Sequence, residues 1–226
     1  MRSVQRLFGE AKGKMNGYVA LLAFRYSNLC VKADVMSLLP VTVTIDGEDT
    51  NIENVADVAV PKDDMLAVMP KDPDHLDAIG QGVMDAHPEF LKDVVQNGKS
   101  EDEDDQYLTF TMPDVDEERF ALLNDSVATL YEQCKTKLND VHEQYSKLIN
   151  EKLKEESSEA SEEVKKQLKE LYDYYDKTSH NMTETKKKEI ENGYQRYRKE
   201  NKKKNKAQHD DNAAHNQEAG QHMTMG

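Results

Sequence analysis

The two cysteines, Cys30 and Cys134, are the chain's softest metal ligands and best nucleophiles. They lie far apart, with no CxxC pair and no histidine at ligand spacing, so the sequence predicts neither a zinc site nor a disulfide framework. The acidic run Glu101 to Asp105 lacks the central glycine and final glutamate of a calcium loop and reads as a solvated loop. Gly80-Gln81-Gly82 is small enough to approach a phosphate. It lies inside helical spacing, however, without a third glycine or a preceding strand, so it is no nucleotide loop. Tyr172, Tyr174, Tyr175, Tyr194 and Tyr197 could stack bases, but at helical spacing they read as core or rim. The Asn124 and Asn181 sequons fall within expected long helices and read as accidental. No Ser/His/Asp, Cys/His or paired-carboxylate set emerges, so a non-enzyme without a cofactor is expected.

The elements that would carry these residues are long and polar. Charged residues make up 33% of the 226, with a mean hydropathy of −0.87, as exposed helices with polar outer faces require. No apolar run approaches the roughly 20 residues of a membrane span. The net charge of −14 is concentrated: between Ala33 and Pro113 nineteen Asp and Glu face four Lys, a balance of −15, which leaves +1 for everything else. Two modules with different electrostatic duties follow.

Val4, Phe8, Ala11, Met15, Tyr18, Leu22, Tyr26 and Leu29 recur every three or four residues and predict a first helix. Gly9, Gly13 and Gly17 weaken its first half, so a start as late as Gly9 or Glu10 is compatible with the pattern. From Val41 to Ile45 the period becomes two, followed by the turn signal Asp46-Gly47. Apolar runs at Val55 to Val60, Met65 to Met69 and Tyr107 to Thr111 read as further strands, and Asp74 to His87 as a helix. A second long helix begins at Asp116 with the stripe Leu123, Val127, Leu130, Cys134, Leu138, Val141, Tyr145 and Leu148. Ser157, Ser158 and Ser161 break that pattern and supply a cap. Val164, Leu168, Leu171, Tyr175 and Met182 then restart it as a third helix reaching Tyr194 or Tyr197. The expected organisation is helix one over 1–31, an inserted acidic α/β domain over 32–114, helices two and three over 115–198, and a disordered polar tail over 199–226. The seven basic residues from Arg196 to Lys206 fit either RNA contact or ordinary solvation.

This order resembles the ribosome recycling factor family. Val43 to Gly47 followed by Asn54 to Val60 is similar to that family's strand, glycine turn and second strand. Phe110 to Pro113 and Asp116 to Arg119 resemble its return strand, proline and helix start, with Glu132-Gln133 in register. The resemblance covers roughly residues 8 to 191. It implies an α+β fold, an elongated three-helix bundle with a small β/α/β domain inserted at nearly a right angle, hinged at Lys32-Ala33 and Pro113-Asp114. It also implies the ribosome, large-subunit RNA and proteins included, and a translocase GTPase of the elongation factor G type as partners.

The chain departs from the family where RNA would be gripped. The family's Arg-Asn-Val-Arg-Arg-Asp segment is replaced by Asn139-Asp140-Val141-His142-Glu143-Gln144, and the segment after helix one becomes Cys30 to Asp34. Without arginine's planar fork, phosphate contact is weakened. Lys135, Lys137, Asn139 and His142 are the candidate ribosome-binding residues that this register leaves. A divergent recycling factor, mitochondrial in the first instance and otherwise cytoplasmic, is one reading. A non-catalytic structural or assembly subunit, whose acidic insert takes basic proteins, is the other. Arg2 and Arg6, with no acid before Glu10, fit a mitochondrial presequence or simply a basic first helix.

Overall fold

The computed structural model of the chain describes residues 2–96, 106–154 and 158–222. The Asn97-Gly98 turn, the acidic run Glu101 to Asp105 and Ser157 lie outside the described residues.

Three long helices carry one of two separate cores: α1 (Arg2–Ser27), α4 (Glu117–Lys152) and α5 (Ser158–His222). In α1, Val4, Leu7, Ala11, Met15, Val19, Leu22 and Tyr26 are buried. The buried face is thus rotated slightly from the expected one, with Leu7 and Val19 inside and Phe8 and Tyr18 at its rim. The helix starts at Arg2, well before Gly9. Each of its three exposed glycines costs roughly 1 kcal/mol relative to alanine. Full burial of a residue such as Met15 or Leu22 contributes about 1.5–3 kcal/mol, so packing decides the outcome.

Helix α4 opens on Asp116, whose side chain accepts from the Arg119 amide at 2.8 Å and caps the first turn. Helix α5 begins at Ser158, so Ser161 sits within the helix and does not cap it. Its core face runs Val164, Leu168, Tyr175, Ser179, Thr183, Lys186, Ile190 and Gly193, with polar residues at the very places where the apolar stripe fades. Where the sequence reading expects a disordered polar tail from 199, the described residues run on in the helical class. The chain continues as α5 through His222, and the residues there are largely helix formers with no proline and a single glycine at 220.

Between α1 and α4 lies the acidic insert. Strands β1 (Thr42–Ile45) and β2 (Glu48–Asn51) form a hairpin. Its turn residues Asp46 and Gly47 both take positive φ, 52° and 84°, as a two-residue hairpin loop of the primed type needs. The glycine turn therefore leads to β2 and not directly to the strand at residue 56. A short helical turn α2 (Ile52–Val55) leads on to β3 (Ala56–Lys62), β4 (Met65–Pro70), α3 (Leu76–Ala86), β5 (Leu91–Gln96) and β6 (Gln106–Thr111). The last four strands make an antiparallel sheet in the order β3-β4-β6-β5. Helix α3 packs on β1 and β6 through Ile79 and Val83. A β-carbon at Gly82 would lie 2.7 Å from the Thr42 carbonyl, so this glycine serves helix-to-strand approach. Strands β2 and β5 were not foreseen in the sequence.

Candidate functional site

Two crossings join the insert to the bundle, and their residues divide between the cores. Val31 and Val115 belong to the bundle core, while Cys30 and Met112 belong to the core of the insert. Gly193 of α5 lies beneath both crossings: a β-carbon there would sit 2.9 Å from Val31 Cγ1 and 2.9 Å from Val115 Cγ2. Lys32 and Asp114 are exposed. The Ala33 amide donates to the Asp63 carbonyl and the Met112 amide to the Asp64 carbonyl, both at 2.7 Å, so the β3–β4 turn holds both crossings.

Arg119, on the first turn of α4, fastens the crossings to each other. Its guanidinium donates to the Pro113 carbonyl and, at 2.7 Å, to the Cys30 carbonyl. Burial pulls its pKa down from the usual range, opposed by Glu89, Cys30, Asp116 and Asp114. Sequence reasoning used Arg119 only as part of a helix-start motif. The clamp was not legible because its acceptors are backbone carbonyls, one of them 89 residues away.

Of the four candidate ribosome-binding residues, three share a face of α4 and one does not. Lys135, Asn139 and His142 follow at four- and three-residue steps, whereas Lys137 points to the far side. There it lines a groove between α1 and α4 of about 710 Å³ with Tyr18, Leu21 and Leu130, and pairs with Asp140 at 3.8 Å. Lys135 Nζ lies 5.9 Å from the centre of the Tyr131 ring. Asn139 Oδ1 accepts from the Tyr172 hydroxyl of α5 at 2.6 Å, and the His142 ring tilts against the same tyrosine at 5.0 Å. Burial, then the charge of Asp176, raises the pKa of both Tyr131 and Tyr172.

This face is a mixed polar seam between two helices, with its hydrogen-bonding groups partly committed inside the protein. The other tyrosines are placed similarly. Tyr175 is buried and Tyr194 stacks on Phe120 at 4.5 Å, while Tyr174 is open to solvent. Exposed cations gather elsewhere, at Arg196, Arg198, Lys199 and Lys202 to Lys204, where α5 runs on past the crossings.

The family model for ribosome recycling factor matches residues 27–191, which takes in both crossings, the whole insert, α4 and half of α5. The chain belongs to the ribosome recycling factor family. A solution structure of a ribosome recycling factor is 19% identical with a TM-score of 0.67, the alignment covering 85% of this chain and 99% of that one. A second similar chain comes from models for the T. thermophilus ribosome recycling factor and E. coli elongation factor G bound to the E. coli post-termination complex. It is 18% identical, with a TM-score of 0.57 and coverage of 83% and 98%. At such identities the likeness shows the shared α+β fold alone. No curated protein matches at the level of sequence.

Among the described residues no helix is long and apolar enough to cross a membrane. Cys30, His87 and Glu89, unremarkable in sequence, come together beside the first crossing, their ligand atoms within 4.8 Å of one another. Burial pushes the Cys30 thiol from 9.0 up to about 11.

Proposed function

We propose that this chain is a divergent ribosome recycling factor that occupies the space between the subunits after termination and helps a translocase GTPase of the elongation factor G type drive them apart. The observation that carries this reading is the family match across both crossings, because a lever and an insert that turns against it are the parts the task needs. The partner named with one similar chain supports the choice of GTPase. The protein supplies no catalysis and the partner supplies the work. The insert swings about Lys32-Ala33 and Pro113-Asp114, and Arg119 keeps the two crossings moving as one.

Contact with large-subunit RNA and proteins through Lys135, Lys137, Asn139 and His142 is weak in this chain, and the cationic stretch from Arg196 to Lys204 takes over part of it. The mitochondrial matrix is the compartment proposed with this reading, and microscopy of a C-terminal fluorescent fusion tests it.

A specific observation favours a second reading, a permanent structural or assembly subunit. Asn139 and His142 are engaged by Tyr172, and the −15 insert repels phosphate but attracts basic proteins. Affinity purification of the tagged protein from its own cells at two salt concentrations, followed by sucrose-gradient sedimentation, separates the two. Substoichiometric, salt-sensitive association with ribosomal particles, enriched when termination is blocked, is expected of a recycling factor. Stoichiometric residence in one complex, indifferent to salt and to translation, overturns that reading in favour of the second.

A further inference from the structure

We propose that Cys30, His87 and Glu89 form a binding site for a divalent transition ion of the zinc type at the junction of bundle and insert.

His87 Nε2 lies 3.0 Å from the Ser37 carbonyl, an atom that can only accept, so Nε2 carries a proton. In the neutral ring Nδ1 is then a bare lone pair, and it faces Glu89 Oε1 at 3.5 Å. Two acceptors opposed at that distance repel unless a proton or a cation lies between them. Two N/O ligands about 2.1 Å from a tetrahedral ion stand roughly 3.4 Å apart, so the observed separation suits an ion. Cys30 Sγ completes a trio of sulfur, nitrogen and oxygen, a set that selects a borderline ion over magnesium or calcium.

The surroundings are built for a ligand role. His87 is 5% exposed and stacks on Phe90 with centroids 4.5 Å apart and planes 3° from parallel. Its bond to the Ser37 carbonyl fixes tautomer and ring orientation, as an outer partner does for metal-bound histidines. Glu89, with its side chain 40% exposed, gives an entry path from solvent. On binding, the Cys30 thiol releases its proton to solvent, and thiolate plus carboxylate neutralise the ion's two charges. Neutrality matters beside the Arg119 guanidinium, which holds the Cys30 carbonyl. A water completes the fourth position. The ion would fasten the first crossing to the turn after α3 and so stiffen the hinge.

The test is a titration of the purified full-length protein with Co²⁺, read by thiolate-to-cobalt charge-transfer absorption, and then with Zn²⁺ in competition. One equivalent is expected to bind and to be displaced by Zn²⁺. The band should vanish in Cys30→Ser and persist in Cys134→Ser. Glu89→Gln, a change at a side chain 40% exposed, should weaken binding by about tenfold or more while circular dichroism matches the wild type. Absence of a stoichiometric band in the wild type, a band that survives Cys30→Ser, or unchanged affinity in Glu89→Gln overturns the proposal. In that case a protonated His87 paired with Glu89 accounts for the geometry.

Discussion

The hydroxyl of Tyr26 lies 3.0 Å from Oγ1 of Thr183, deep in the bundle, and donates to the Val127 carbonyl at 3.1 Å. One side chain of α1 thereby touches both partner helices through polar atoms at a fully buried junction. A buried hydrogen bond contributes on the order of 1 kcal/mol net, and an orphaned acceptor costs about 1–3 kcal/mol. Tyr26→Phe is therefore expected to lower stability by about 1–2 kcal/mol, measured as the shift of the urea midpoint. An unchanged midpoint would mean that the junction is electrostatically neutral.

Gly193 and Gly13 should respond to the same substitution with opposite signs. Gly13→Ala adds a methyl to an exposed face of α1 with nothing within 4 Å and should stabilise by up to about 1 kcal/mol. Gly193→Ala drives a methyl into Val31 and Val115 and should destabilise by about 1–3 kcal/mol after the propensity gain is offset. Thermal melts of the two variants side by side check the sign reversal.

Arg119→Lys keeps the charge but loses the fork that reaches two carbonyls. The crossings should then move independently. Small-angle scattering is expected to report a broader distribution of shapes, while circular dichroism stays within error of the wild type. Scattering identical to the wild type would show that Gly193 and the two valines suffice to hold the crossings.

Burial, with Asp176 nearby, pushes the Cys134 thiol from 9.0 to about 11. Below the unfolded value both states keep the proton and nothing is lost. As pH rises above it, the unfolded chain ionises first, so stability falls through the window up to the folded value. At about 1.4 kcal/mol per unit the loss reaches at most about 3 kcal/mol. Cys134→Ala should remove this component, seen as a shallower decline of the urea midpoint relative to the wild type across that window.

Placing arginines at 139, 142 and 143 tests whether the α4 face meets ribosomal RNA. The triple variant Asn139→Arg, His142→Arg, Glu143→Arg should bind ribosomal RNA more tightly and with a steeper salt dependence, each new phosphate contact adding about 0.9 to the logarithmic slope. Filter binding across a salt series provides the measurement. A slope equal to the wild type would place RNA contact on another surface.

The periodic elements were legible because burial writes itself into sequence. The stripe from Leu123 to Tyr145 and the alternation of Val41 to Ile45 both follow directly from one face meeting a core. Strand β2 escaped notice because its four residues are Glu48-Asp-Thr-Asn51, mostly exposed and paired only with β1. Strand β5 escaped for a similar reason, being an edge strand whose first four residues are all exposed. On α5 the core face turns polar at Ser179 and Thr183, the second of which meets Tyr26, so apolar periodicity could not follow it. The candidate residues on α4 came from register alone, and the seam with Tyr172 needed a partner helix that no local pattern names. The meeting of Cys30 with His87 and Glu89 depends on the path of the insert, and no spacing rule spans it.

Among the described residues the buried face of α1, from Val4 to Tyr26, is covered chiefly by α4 and α5, which follow the entire insert. During synthesis, roughly 100 residues must therefore be added before that stripe finds its cover, about 5–20 s at ordinary elongation rates. The insert, with nearly all its contacts internal, can close in the interval, while α1 waits as an uncovered amphipathic segment. Birth order thus makes the first helix the last to be protected, and degradation of nascent chains should begin there.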